Sequence, residues 1–313
     1  MRAAGIGVAE NHAEQIMDVR AALRHGIARL RDAGVPSHAL AAELLLMHAL
    51  GRDRAWIYTH PEAPIAADLA TRYSDLVARR AAGEPVQYLT GVQEFWGLEF
   101  EVTPAVLIPR PETEHVIEVA IERLQLSHRS VSLLPVRIAD VGTGSGCLAI
   151  ALARELPHAE IIATDISAGA LRVARRNAER HGVGDRVHFV QGDLLQFAAP
   201  VASEAGDPAQ PFDLIVSNPP YVGLQQAAEL PREVRDHEPH PALFGGPAGI
   251  EMYGRLIRNS ASLLRSGGSL AIELGYGLGA GVHAILSTES GWTNVSITND
   301  LAGIPRVIAA ERR

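Results

Sequence analysis

Val136-Arg137-Ile138-Ala139-Asp140-Val141-Gly142-Thr143-Gly144-Ser145-Gly146 decides the fold. Six residues of short, mostly apolar strand run into three glycines, and a helix-forming stretch begins at Cys147. A strand feeding a helix through a tight turn is the first step of a parallel α/β unit, and in such sheets ligands bind beyond the carboxyl ends of the strands. Glycines let backbone approach the ligand, and the helix start offers free N–H groups. The spacing is Gly-x-Gly-x-Gly, with Cys147 where a dinucleotide fingerprint has its third glycine. That favours a nucleoside cofactor without a pyrophosphate, such as S-adenosylmethionine, over a bare structural turn.

Downstream, apolar runs predict strands at 136–141, 160–165, 187–191, 212–217, 269–274, 293–298 and 306–310. Helices fit at 146–155, 168–181, 250–264 and 280–287. Strand–helix alternation means a parallel sheet covered on both faces. No helix separates the last two strands, so the sheet is expected to finish in an antiparallel edge pair. The stretch 198–211, rich in Ala, Pro and Gly, is expected to be a mobile loop. Asp165 ends the second strand, where a carboxylate can accept from both ribose hydroxyls. Asp193 follows the third in Gly192-Asp193-Leu194, near where an adenine would lie.

Upstream of about residue 84 the chain reads as helices at 14–31, 38–50 and 66–82. Ser37 is the expected N-cap of the second, and Gly34, Gly51 and Gly83 are stops. This region carries ten arginines and ten acids, so the net charge of −8 belongs entirely to the remainder. Residues 85–107, with Tyr88-Leu89-Thr90-Gly91 and Glu94-Phe95-Trp96-Gly97, read as an aromatic-rich hairpin linker. Ile108-Pro109-Arg110-Pro111-Glu112-Thr113-Glu114 then opens a helix to about residue 126, with Pro111 suited to its first turn. The expected division is a helical domain at 1–84 (residues 1–13 disordered), the hairpin, and an α/β domain at 108–313.

Composition narrows the chemistry. All 28 basic residues among the 313 are arginine, which excludes a lysine Schiff base and a P-loop lysine. The one cysteine, Cys147, excludes disulfides and multi-cysteine metal sites. A charge of −8 speaks against indiscriminate nucleic-acid binding. There is no apolar signal core, and Glu43 and His48 interrupt the richest apolar stretch, so a cytoplasmic, unanchored protein is expected.

Ser217-Asn218-Pro219-Pro220-Tyr221 ends the fourth strand at the same edge as the glycine turn. A planar –NH₂ conjugated to a carbonyl or a ring is a poor nucleophile, but two acceptors can hold its hydrogens: the Asn218 side-chain oxygen and the Pro219 carbonyl. Proline fixes φ and has no N–H, which stiffens the turn. Tyr221 can pack on the flat face of the substrate group. The nitrogen is then aimed in line at a methyl sulfonium, so catalysis is mostly positioning. This pattern predicts methylation of an sp² nitrogen and leaves adenine, cytosine and an amide side chain open.

These blocks together resemble the protein-(glutamine-N5) methyltransferases of class-1 peptide chain release factors. The resemblance extends through Glu238-Pro239, Ala242-Leu243, Gly245-Gly246 and Gly249 to Asp300-Leu301-Ala302-Gly303 and Arg306-Val307. It implies a class I methyltransferase fold with a seven-stranded, mostly parallel, Rossmann-like sheet, and a small helical substrate-recognition domain. It implies methyl transfer from S-adenosylmethionine to the glutamine amide of a Gly-Gly-Gln motif. Carried over, Gly142, Thr143, Gly144, Ser145, Gly146, Asp165, Asp193 and Leu194, with Asn218, contact the cofactor. Asn218, Pro219, Pro220 and Tyr221 hold the amide. The family often has an aromatic where Leu194 stands, so an aliphatic would pack the adenine here. Phe100 and the 108–110 segment are candidates for the pocket wall, with core packing the alternative for Phe100.

Other features have plainer readings. Pro239 interrupts His237-Glu238-Pro239-His240, so a loop contact is expected there and not a metal site. Cys147 reads as a small helix residue, and Arg79-Arg80 as a solvated helix face. An adenine or cytosine amino-methyltransferase is the alternative enzyme, and a cofactor-binding interaction module the alternative without catalysis. The acidic body and neutral helical region disfavour the first, and the intact motifs disfavour the second.

Overall fold

The structure is a computed structural model that describes residues 17–126, 135–196 and 211–313. The expected disordered start at 1–13, and all of the expected 198–211 loop except Pro211, lie outside the described residues. The chain separates into two compact units, one ending at Thr90 and the other beginning at Gly91.

The first unit is helical: α1 (Val19–Asp32), α2 (His38–Leu50), α3 (Arg54–Thr59), α4 (Ala67–Ala81) and α5 (Val86–Thr90). α1 starts later than its periodicity suggests because Asp18 caps it, accepting from the Ala21 N–H at 2.7 Å. Ser37 does not cap α2: it sits at φ 49° and its side chain makes no capping bond. Gly51 does end that helix in the left-handed region. Leu30, Leu45, Leu46, Ile57, Tyr73 and Val77 fill the core of this unit. Arg79 is exposed and pairs with Glu84, but Arg80 is buried and donates to the Gly83 and Glu84 carbonyls. The expected solvated face is therefore half right.

The second unit opens with a hairpin, β1 (Val92–Phe95) and β2 (Leu98–Glu101), turned by Trp96 and Gly97, both at positive φ. Tyr88-Leu89-Thr90, expected in the hairpin, belongs to α5. The hairpin packs Phe95 and Phe100 into the main core, and Phe100 meets Phe95 edge-on. Phe100 is therefore a core residue and not a pocket wall. A 3-10 turn, Pro111–Thr113, leads into α6 (Glu114–Leu126).

The elements that follow are β3 (Val136–Val141), α7 (Cys147–Glu155), β4 (Ala159–Asp165), α8 (Ala168–Arg180), β5 (Val187–Gln191), β6 (Phe212–Ser217) and β7 (Val222–Gly223). Short helices α9 (Arg232–His237) and α10 (His240–Leu243) precede β8 (Phe244–Gly246). Then come α11 (Glu251–Ala261), β9 (Leu264–Glu273), α12 (Gly279–Thr288), β10 (Trp292–Asn299) and β11 (Pro305–Arg312). Seven strands form one sheet in the order β10-β11-β9-β6-β3-β4-β5. β3, β4, β5, β6 and β9 run parallel, and the last two strands form the antiparallel pair at one edge. Within that pair β11 is the reversed strand, antiparallel to β9 and to β10.

Alternate residues of the central strands serve opposite faces. Ile138, Leu214 and Val216 pack with α6 and α7, while Ala139, Val141 and Ile215 pack with α11 and α12. Both faces are dry, so β6 is buried along its whole length. The buried sheet fixes where its carboxyl edge lies, and the site forms on that edge.

Candidate active site

The glycine turn leaves β3 at Gly142 with three glycines at positive φ: Gly142 (74°), Gly144 (56°) and Gly146 (85°). A side chain there would be strained. A Cβ on Gly146 would also stand 3.2 Å from the Ala174 Cβ, so that glycine lets α7 approach α8 closely. The Gly142 and Thr143 N–H groups both donate to the Thr164 carbonyl at 2.8 Å, tying the turn to β4. Asn177 adds a second tie: its Nδ2 donates to the Ser145 carbonyl and to that of Glu101 in the hairpin.

The acids are oriented by backbone. Asp165 Oδ2 accepts from the Gly144 N–H at 2.9 Å and Oδ1 from the Ser167 N–H at 2.8 Å. Burial raises its pKa, and those N–H groups oppose the rise. Asp140, fully buried, accepts through Oδ2 from the Thr143 hydroxyl at 2.6 Å and the Ala149 N–H at 3.2 Å. Its Oδ1 has no partner among the described residues, and burial pushes its carboxyl up to about 7. Asp193 is paired with Arg255 of α11, Nη2 to Oδ2 at 2.6 Å.

Ser217 pins the tetrapeptide to the glycine turn, donating to the Val141 carbonyl at 2.7 Å. Asn218 Nδ2 donates to the Thr113 hydroxyl at 3.0 Å, and Thr113 donates to Glu273 at 2.6 Å. Burial pushes the Glu273 carboxyl up to about 7. The Tyr221 ring lies against Gly275, where a Cβ would come within 2.7 Å of it. Glycines of the 245–249 segment wrap the tetrapeptide backbone. A Cβ on Gly249, at φ 81°, would stand 2.2 Å from the Tyr221 carbonyl.

A cavity of about 370 Å³ lies between these parts. Of the expected site residues, Gly142, Thr143, Gly144, Ser145, Asp165, Asp193, Leu194, Asn218, Pro219 and Pro220 line it. Gly146 and Tyr221 do not: Gly146 is spent on helix packing, and the Tyr221 ring lies against Gly275 with its hydroxyl bonded to Glu273. From the 108–110 segment only Pro109 lines it, joined by Ala105, Val106 and Leu107. Ile108 points into the core, and Arg110 donates to the buried Glu238 at 2.5 Å.

Sequence reasoning missed Asp140, Thr113, Glu273 and Arg255. An acid closing an apolar strand was a usable signal for Asp140 and Glu273. Arg255 had none, because it reaches Asp193 from a helix 62 residues away. Burial also raises the Cys147 thiol, to about 12. Among the described residues no three His, Cys, Asp or Glu side chains are grouped to hold a metal, and no helix is long and apolar enough to cross a membrane.

Two family models match the chain, a PrmC N-terminal domain over residues 21–91 and a methyltransferase domain over residues 135–284. A release factor glutamine methyltransferase of Koribacter versatilis is 45% identical, covering 95% of this chain and 99% of its own. The chain belongs to the release factor glutamine methyltransferase family. Members from Nitratidesulfovibrio vulgaris and Moorella thermoacetica are 41% and 42% identical, covering 93% and 95% of this chain and 94% and 99% of their own. Among solved structures the N-terminal domain of human METTL16 superposes with a TM-score of 0.51 at 20% identity, covering 80% of this chain and 85% of that one. That likeness carries the fold alone. The α/β unit is a class I methyltransferase fold, and the chain is a methyltransferase.

Proposed function

We propose that the protein transfers a methyl group from S-adenosylmethionine to the side-chain amide nitrogen of the Gly-Gly-Gln glutamine in class-1 peptide chain release factors. One observation carries this reading. The Asn218–Pro219 acceptors and the glycine turn face one cavity, in a chain similar to release factor glutamine methyltransferases over 95% of its length.

The donor set suits the cofactor. Asp140, Asp165 and Asp193 line the cavity, with Arg255 the one basic residue of its lining among the described residues. A ligand with two ribose hydroxyls, an ammonium and a sulfonium matches three carboxylates better than a pyrophosphate would. Asp165, fixed by two N–H groups, takes the ribose hydroxyls, and Asp193 and Leu194 flank the adenine. Asp140, buried beneath the glycine turn, holds it from below through the Thr143 hydroxyl and the Ala149 N–H. When bound, S-adenosylmethionine supplies an electrophilic methyl group.

The remaining work belongs to the chain. Asn218 Oδ1 and the Pro219 carbonyl accept the two amide hydrogens, which orients the nitrogen. Pro219 and Pro220 hold the turn stiff, Tyr221 supports it, and the walls exclude water. Positioning of this kind supplies much of the rate of a transfer between two bound groups. A proton of the methylated nitrogen, made acidic by its new positive charge, leaves to water. The helical unit serves substrate recognition, and the reaction is assigned to the cytoplasm.

The test incubates the pure protein with S-adenosylmethionine and a release factor, followed by mass spectrometry of the Gly-Gly-Gln peptide. One added methyl on that glutamine is expected. An unmodified peptide beside methylated adenine or cytosine in a nucleic-acid control would overturn the reading.

A further inference from the structure

Asn218 can accept from a substrate N–H only if its amide is turned one way, carbonyl oxygen toward the cavity and –NH₂ away from it. The side chain does not enforce this by itself, because the two orientations have nearly the same shape. Its surroundings decide. Asn218 Nδ2 lies 3.0 Å from Thr113 Oγ1, which lies 2.6 Å from Glu273 Oε2. A carboxylate only accepts, so the single hydroxyl proton of Thr113 is committed to Glu273. The Thr113 oxygen can then only accept, and the amide must present an N–H to it. Asn218 Oδ1 is left facing the other way.

We infer that Thr113 and Glu273 are positioning residues for methyl transfer, fixing the Asn218 amide through a one-way chain of hydrogen bonds so that its oxygen meets the substrate nitrogen. The inference rests on the activity proposed above and deepens it. The chain joins three elements far apart in sequence: the 3-10 turn before α6, the end of β6 and the end of β9. Thr113 and Glu273 are 1% and 2% exposed, so water does not compete for either bond. Glu273 makes no ion pair among the described residues, and a buried carboxylate without one is costly to keep. Tying the turn to the sheet would not require a charged group, whereas setting the polarity of a hydroxyl does.

Protonation of Glu273 removes that polarity. A neutral carboxyl can donate to Thr113, which frees the hydroxyl to donate to Asn218 and reverses the amide. The groups facing Glu273 are the Thr113 hydroxyl and Glu112 from the 3-10 turn, Arg306 from β11, the Cys147 thiol of α7, and Tyr221 after β6, whose hydroxyl donates to the carboxylate. The Tyr253 hydroxyl of α11 donates to its backbone carbonyl.

The test compares wild type with Thr113→Val, Thr113→Ser and Glu273→Gln, reading kcat and KM on a release factor and cofactor affinity by calorimetry. Thr113→Val keeps the shape and loses the hydroxyl. Its kcat should fall about 10- to 100-fold, with KM and cofactor Kd within about twofold, and Thr113→Ser should restore most of the rate. Wild-type kcat should decline below neutral pH, where Glu273 takes up its proton. Glu273→Gln, whose side-chain amide can turn its –NH₂ toward Thr113 as readily as its oxygen, should lose kcat at pH 8 and show no further decline toward acid pH. Three results would overturn the inference: an unchanged kcat in Thr113→Val, a loss shared by cofactor affinity and not restored by serine, or an acid-side decline kept in Glu273→Gln. If wild type leaves the Gly-Gly-Gln peptide unmodified, the proposed activity itself fails and the inference falls with it.

Discussion

Arg110 Nη2 donates to Glu238 Oε1 at 2.5 Å, joining two loops 128 residues apart in sequence that flank the same cavity. The Ala105–Pro109 side of the first loop and the Pro239–Ala242 side of the second both contribute walls. The Glu238 side chain is 1% exposed and that of Arg110 is 31% exposed. Burial raises the Glu238 pKa, and Arg110 opposes the rise.

Removing the arginine therefore leaves a buried carboxylate without its partner. Arg110→Met should destabilise the protein by about 2–3 kcal/mol at pH 8. The loss should shrink toward pH 5, where Glu238 escapes the penalty by taking up a proton. Chemical denaturation at the two pH values checks this, and equal losses at both would contradict the pairing.

The Asp193–Arg255 pair predicts a different split. Both side chains are well exposed, at 38% and 42%, so the pair adds little to stability. Its work, on the proposed reading of the cavity, is to hold Asp193 in place beside the adenine. Arg255→Ala should leave the melting temperature nearly unchanged and weaken cofactor binding by about three- to tenfold. Calorimetry against S-adenosylhomocysteine reads this directly.

Asp140 carries a pH signature. Its folded-state pKa, about 7, lies above its unfolded value. The stability this site contributes is therefore fully present below the unfolded pKa and is lost as pH rises through about 7. Asp140→Asn does not titrate. Between pH 4 and pH 8 the stability difference should move in favour of the asparagine variant by on the order of 2 kcal/mol. The same variant should bind the cofactor less well. Parallel denaturation curves across that range test the sign.

The parallel sheet was legible because its signal is local: each central strand is a short, mostly apolar run, and α7 and α8 begin right after a glycine or a serine. The glycine turn, Asp165 and the Asn-Pro-Pro-Tyr segment were legible because their chemistry is written in adjacent residues. What escaped was non-local. Thr113 and Glu273 meet across 160 residues, and their joint effect on Asn218 has no sequence spacing to mark it. Arg255 sits on an ordinary amphipathic helix, where one arginine looks like any other. Ser37 failed for a local reason, since a left-handed residue ahead of a helix cannot aim its hydroxyl at the first turn. The contact of the Tyr221 ring with Gly275 was likewise not marked, because those two residues lie on different strands' ends.

Gly249 offers the sharpest test of how the tetrapeptide is held. β7 and β8 bring the 244–249 segment alongside the Pro220–Gly223 backbone. At φ 81°, with the Tyr221 carbonyl 2.2 Å from where a Cβ would sit, Gly249 meets both objections to a side chain at once. Backbone on the facing side also cannot swing away as a flexible side chain would. Gly249→Ala must push the tetrapeptide aside or open the β7–β8 pair, displacing Asn218 and Pro219 from the positions that the proposed transfer requires. The glycine turn is held separately by β4, through the Gly142 and Thr143 N–H bonds to the Thr164 carbonyl, and keeps its shape. The expected result is a loss of about 2–4 kcal/mol in stability and a fall in kcat of about 100-fold, with cofactor affinity held within a few-fold. Gly277→Ala is the control, since it has a similar φ of 77° and open space around it. It should cost only about 1 kcal/mol and keep kcat. Equal kinetic losses in the two variants would mean that strain in the fold, and not displacement of the tetrapeptide, governs the rate.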